Sequence, residues 1–263
     1  MTAITALITK TWIASASDSL LTEVNPQTNT IKHIEFKKSK IVPIKKFKAA
    51  ASYWGLAKVG NWRTYDFLVK IATQEKEYDS FENFASYLKD ELNKKLNSFT
   101  FSNPLHKGIG IHLVGYENIN KQEIPELFLI TNFTDETYTK VEEFKVKRNL
   151  YKTLPEEYIT VDDNIGNQRK QILKFLDNGG MFIFNNGDPA LFNPVAKAIN
   201  EMFKVAWSRN DLQEGTRKYA KLAVAPIEVI KTIQKNFFKK DSIRIGGKTH
   251  YLLTTRLGEY ISR

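Results

Sequence analysis

The chain of 263 residues contains no cysteine, so neither disulfides nor thiolate metal sites are available to it. No apolar run approaches the ~20 residues needed to cross a bilayer, and the first residues lack a basic segment followed by a hydrophobic core and a small-residue cleavage site. The expected compartment is therefore the cytosol. The four histidines, His33, His106, His112 and His250, form no H-E-x-x-H or paired spacing, which argues against zinc. No G-x-S-x-G is present. Gly247-Lys248-Thr249 resembles the end of a phosphate-binding loop, but Ser242 stands where that loop requires glycine, and the strand-like YLLTT follows where a helix is needed. No metal and no cofactor are expected. The formal charge of +10 comes from lysines spread over many segments, which reads as a solvated surface and disfavours nucleic acid as a partner.

What is present suits one large domain with a full core. Residues 3 to 13 alternate Ile4, Ala6 and Ile8 against Thr5 and Lys10 before Trp12-Ile13, which predicts a strand with one buried face. Asn25 to Thr30 is a turn cluster. IKHIEF and KSKIVPIKKFKAAAS predict two further strands, with Pro43 arguing against a central ladder position. From Gly55 onward, apolar residues at roughly helical spacing predict one helix, and FENFASYLKDELNKKL predicts a second with Ser80 as its N-cap. Strands follow from about Ile109 to Val114 and from Leu127 to Phe133, joined by GYENINKQEIP. Tyr138 to Asp177 is charged and carries a predicted helix from Asn167 to Leu176; its default role is to extend the surface. A strand, a turn at Asn185-Asn186-Gly187, a helix, and a long amphipathic stretch from Asp211 to Phe238 kinked at Pro226 come next. The alternating block after Gly246-Gly247 ends the chain.

Thr2 concentrates the chemistry. Removal of Met1 would leave a threonine with a hydroxyl and a free α-amine, a nucleophile with its own base, because such an amine titrates near ~8. A nearby ammonium would hold the amine uncharged, and a carboxylate would fix that ammonium. Lys40 and Asp18 are the candidates for these parts.

Thr2, the alternating run to Trp12, ASDSLLT with Asp18, and KIVPI with Lys40 resemble the start of a proteasome β-subunit, of the N-terminal-nucleophile hydrolase family. The separation of Thr2 from Asp18 matches that pattern. ASYWGLA, from Ala51 to Ala57, resembles the family segment whose backbone N–H forms the oxyanion hole and where a helix begins. HLVGYENINKQEIPELFLI, from His112 to Ile130, resembles its strand pair, and the order of blocks agrees.

The resemblance implies an α+β fold, a four-layer αββα sandwich of two antiparallel sheets, in a single domain spanning 1-263 with an insertion at about 138-178. It implies a threonine-type peptidase or amidohydrolase with Thr2, Asp18 and Lys40 catalytic, and Trp54 and Gly55 at the oxyanion. Asn186 replaces a serine near the nucleophile; an amide can donate to an oxyanion but cannot pass a proton as a hydroxyl can. KKDSIRIGGKTHYLLTT resembles the family's closing block, with Asp241 carried over as the acidic support after a one-residue shift and no serine. A peptide or protein substrate, a homo-oligomer of the ring type and an ATP-dependent unfoldase are the implied partners. The alternatives are a non-proteolytic acyl-transfer or ligase relative and an inactive scaffold or binding subunit of the same fold.

Overall fold

The computed structural model describes residues 3–25, 31–35, 39–74, 77–159, 164–209, 216–239, 243, 245–258 and 260–262. The predicted turn at Asn25 to Thr30 lies outside these residues apart from Asn25. The first expected strand is instead a hairpin, β1 (Ile4–Ile8) and β2 (Trp12–Asp18). Its turn is closed by Thr9, whose N–H and hydroxyl both donate to the Trp12 carbonyl, at 3.0 and 3.1 Å. Both faces of both strands are buried: Ala14 and Ala16 pack under helices, while Ile13 packs between two sheets. An alternating pattern thus marks two different apolar surroundings here rather than an inside and an outside.

The chain continues through β3 (Leu20–Val24), β4 (Ile31–Glu35), β5 (Ile41–Ile44), β6 (Ala49–Gly55), β7 (Lys58–Val59) and β8 (Trp62–Arg63). Helices α1 (Thr64–Ala72) and α2 (Phe81–Asn97) precede β9 (Ile109–Ile119), β10 (Gln122–Phe133) and β11 (Val141–Arg148). Then come α3 (Ile165–Asp177), β12 (Phe182–Asn186), α4 (Phe192–Ser208), α5 (Thr216–Phe237), β13 (Thr249–Thr255) and β14 (Tyr260–Ser262).

Two expectations are corrected. No helix begins at Gly55: the β7–β8 hairpin, turned at Gly60 with φ of 54°, comes first. Helix α1 starts only where the Thr64 hydroxyl donates to the Leu56 carbonyl at 2.7 Å. Likewise GYENINKQEIP is no loose connection. It extends β9 and β10 into one long hairpin around Asn120 and Lys121, both left-handed at φ of 50° and 66°, the conformation a tight two-residue turn requires. Other readings hold. Ser80 caps α2 by accepting from the Asn83 N–H at 3.0 Å, α3 overlaps the predicted helix, and Pro226 sits inside α5. Pro43 lies in β5, an edge strand whose ladder it does not interrupt.

Two five-stranded antiparallel sheets dominate: an N-terminal sheet in the order β12-β1-β2-β13-β14 and a central sheet in the order β11-β10-β9-β6-β5. A small sheet, β4-β3-β7-β8, flanks them. Among the described residues three apolar clusters form the core. Leu68, Phe84, Leu88 and Leu92 of α1 and α2 meet Tyr53 and Leu113 of the central sheet. Phe192, Ala196, Ala223 and Ile227 of α4 and α5 meet Leu7 and Ala14 of the N-terminal sheet. Between the sheets Ala6 and Ile13 face Ala50 and Val114, joined by Ile172 and Leu176 of α3. Each fully buried leucine or phenylalanine contributes about 2 kcal/mol relative to exposure. The segment from Tyr138 to Asp177 therefore does more than extend the surface: its helix supplies part of the core between the sheets. Among the described residues no helix is long and apolar enough to cross a membrane.

Candidate functional site

Asp18 ends β2, and its fully buried carboxylate is surrounded by donors. Oδ1 accepts from Lys40 Nζ at 2.9 Å and from the Ala3 N–H at 3.0 Å. Oδ2 accepts from the Gly246 N–H at 3.1 Å and the Leu20 N–H at 3.3 Å. Ala3 is bonded twice, since the Asp18 N–H donates to its carbonyl at 3.1 Å. Lys40, at the start of β5, is also fully buried, and its ammonium donates in addition to the Leu20 carbonyl. Burial lowers the Lys40 pKa from its ordinary 10.5, and Asp18 opposes that fall.

Strand chemistry explains why these groups converge. Asp18 lies where β2 gives way to β3, so its side chain can gather the main-chain N–H groups that the ladder leaves unpaired there. Gly246, in the turn before β13, reaches it because β13 pairs with β2 in a register that sets Thr249 opposite Asp18. The Ser19 N–H donates to the Gly246 carbonyl at 3.2 Å, which closes the turn onto the same corner.

A second polar group lies between the sheets. His112 of β9 is 1% exposed, and Asn186 at the end of β12 places its amide nitrogen 2.6 Å from His112 Nε2. The Tyr138 hydroxyl donates to Asn186 Oδ1 at 2.6 Å. Burial drops the His112 pKa to about 3, so the ring is neutral, Nε2 accepts, and Nδ1 carries the proton with no partner. The Trp54 ring meets His112 edge-on at 5.5 Å between centroids. Gly110 is required beneath it, because a Cβ there would lie 1.9 Å from the indole.

The two oxyanion candidates point in opposite directions. The Leu56 N–H donates to the Gly108 carbonyl at 2.8 Å, and in an antiparallel ladder the residues bonding one neighbour recur at every second position. Trp54, opposite Gly110, therefore directs its N–H to β9. Gly55, opposite Ile109, turns its N–H the other way, past the described start of β5 at Ile41. Gly55 has φ of 88°, and a Cβ there would fall 2.2 Å from the Gly108 carbonyl oxygen.

Of the residues singled out by sequence, Asp18 and Lys40 come together, and Trp54 and Asn186 come together around His112. Thr2 and Asp241 lie outside the described residues. Three groups escaped sequence reading: His112, set aside because no second histidine stood at metal-ligand spacing; Tyr138, within the charged segment; and Tyr53. The Tyr53 hydroxyl is buried without a partner, and burial first, then the charges of Asp66 and Asp18 among others, raise its pKa. Its place in β6, one residue before Trp54, was the available signal. Among the described residues no cluster of three metal-ligating side chains occurs.

No protein-family model matches the sequence, and no curated protein is similar to it. Among solved structures, the chain resembles Anbu (ancestral beta-subunit) from Yersinia bercovieri, with a TM-score of 0.51 and 12% identity over 96% of this chain and 82% of that one. At that identity the likeness is one of fold alone.

Proposed function

We propose that the protein is a threonine-type hydrolase of peptide or amide bonds whose nucleophile is Thr2, once Thr2 is exposed as the first residue. The observation that carries this reading is the buried Lys40–Asp18 pair at 2.9 Å, whose carboxylate also holds the Ala3 N–H, the next main-chain group after Thr2. A desolvated ammonium beside an α-amine disfavours a second charge, so the amine stays neutral and able to take a proton.

In the proposed sequence, Thr2 Oγ attacks the carbonyl carbon and its own α-amine accepts the hydroxyl proton, directly or through water. The tetrahedral oxyanion takes the Gly55 N–H, the one directed away from β9. Collapse breaks the C–N bond, the departing amine takes the proton from the α-ammonium, and an ester on Thr2 remains. Water then adds with the α-amine as base, releasing the acid and restoring the threonine. The same reading assigns the chain one four-layer αββα domain, with 138-178 inserted, acting as a homo-oligomer.

The test is labelling of the purified protein with a peptide epoxyketone, after intact mass shows that Thr2 carries a free amine. Label should map to Thr2 and vanish in Thr2→Ala. Equal labelling of wild type and Thr2→Ala, or none on a chain with a free Thr2 amine, would sink the proposal and leave the scaffold reading. Turnover of a peptide substrate only when an amine acceptor is added, with the acyl group recovered on that acceptor and no net hydrolysis, would identify a transferase instead.

A further inference from the structure

Strand β12 is an edge of the N-terminal sheet, and its ladder parity can be read. Because Ala3 and Asp18 form a bonded pair, alternate residues Thr5 and Leu7 also bond toward β2, and Ile4, Ala6 and Ile8 bond toward β12. Their partners Asn186, Phe184 and Phe182 therefore face β1. Ile183 and Asn185, between them, direct their N–H and C=O groups off the open edge, where no strand pairs them among the described residues.

This edge runs along a groove rather than a flat rim. On the side of the central sheet a cleft of about 520 Å³ is bordered by Trp54, Tyr138 and Asn149. Toward α4 a second recess of about 300 Å³ is bordered by Lys197, Asn200 and Lys204. Phe184, Asn185 and Asn193 border both, so the two adjoin along β12. On α4, Asn193, Lys197, Asn200 and Lys204 recur at helical spacing and form one stripe. The side-chain oxygens of Asn193 and Asn200 are buried without a hydrogen-bond partner, as is Trp54 Nε1. Buried acceptors without donors cost about 1–3 kcal/mol each, and both carboxamides border the recess, so turning them toward a ligand's N–H groups would relieve that cost.

We infer that this groove binds an extended segment of a separate polypeptide, added to the N-terminal sheet as a strand beside β12. Main-chain pairing to Ile183 and Asn185 supplies the attachment, the Asn193 and Asn200 amides accept from the segment, and Phe184 and Trp54 take apolar side chains. A strand needs only about 5 Å beside its neighbour, which a recess of this kind provides. A second copy of the chain would have to bring a whole sheet into a channel walled on one side by α4 and on the other by the Tyr138 loop. The carboxamide lining, with lysines and acids of both signs, recognises the peptide backbone with little demand on sequence. The inference does not depend on chemistry at Thr2.

The test uses the full chain carrying Thr2→Ala, so that bound peptide stays intact. Its probes are a pool of fluorescein-labelled nonapeptides of mixed sequence and the same pool with every second amide N-methylated. Saturable binding in anisotropy is expected, at least tenfold weaker for the N-methylated pool. In hydrogen exchange the Ile183 and Asn185 amides should slow at least tenfold with peptide bound, while Phe184, already paired to β1, does not change. Ile183→Pro, which removes only an outward N–H, should weaken binding at least tenfold. Equal binding of both pools, unchanged exchange at Ile183 and Asn185, or sedimentation showing that the edge is occupied by a second copy would overturn the inference. Loss of epoxyketone labelling with the groove intact would count only against the nucleophile.

Discussion

Among the described residues two carboxylates are wholly buried, Asp18 and Glu126, and they are treated differently. Asp18 receives one ammonium and three main-chain N–H groups, all within 3.3 Å, and its cation is as buried as it is. Glu126, in β10, faces two guanidinium groups that keep contact with water: Arg169 of α3 at 2.8 Å and Arg148 of β11 at 3.5 Å, their side chains 17% and 16% exposed. Burial raises the Glu126 pKa, with Arg148 and Arg169 pulling it back. The Glu126 group pins a helix to a sheet, a task that tolerates slack and solvent. The Asp18 group fixes an ammonium in a dry corner with no slack, bonded to the Ala3 N–H, which is the arrangement expected where position matters more than adhesion.

The strongest way to break this contrast is Asp18→Ala, which strands the Lys40 ammonium without a counter-charge. It should cost about 4 kcal/mol by denaturant titration, and Asp18→Asn combined with Lys40→Met should cost less than the sum of the single changes. A loss under about 1 kcal/mol for Asp18→Ala would show that the corner is not tightly held. Next comes a buried group with no counter-charge at all. His112 titrates near 3 in the folded chain against an ordinary 6.5. Between those values the unfolded state binds more protons, so stability falls as pH drops. The loss from pH 7 to pH 4 should be about 3 kcal/mol beyond that of His112→Phe, measured by denaturant midpoints at each pH. The mildest change is Glu126→Gln, under about 1 kcal/mol at pH 7 because loss of the ion pairs is offset by relief of the burial cost of the charge, with faster amide exchange confined to α3. The sign here is the reverse. The folded pKa is raised above the ordinary 4.5, so wild type loses stability as pH climbs above 4.5, and Glu126→Gln should flatten that slope. Global rather than local exchange would mean that α3 does not open independently of the sheets it packs against.

The architecture was largely legible because its helices and strands carry strong local signals, Ser80 before α2 among them. The misreadings share one cause. Residues 3 to 13 and the stretch after Gly55 each contain a sharp reversal, at Thr9 to Thr11 and at Gly60-Asn61, and periodicity averages across a reversal of two or three residues. Asn120-Lys121 hid another, since neither residue is glycine although both adopt positive φ. At the site, Asp18 and Lys40 were legible only through resemblance: one lysine among Lys37, Lys38, Lys45, Lys46 and Lys48 has no local mark that it will be buried. His112, Asn186 and Tyr138 converge from three distant strands and loops, and no spacing rule links them.

The pairing of β13 with β2 also constrains how the protein can be made. The central sheet is drawn from residues 41 to 148 alone and can assemble while synthesis is under way. The N-terminal sheet cannot: the side of β2 away from β1 stays unpaired until residues 249–255 leave the ribosome, and only then does the Gly246 amide arrive at Asp18. A nascent chain therefore carries its charged corner unfinished while the more than 200 residues between Asp18 and Gly246 are made.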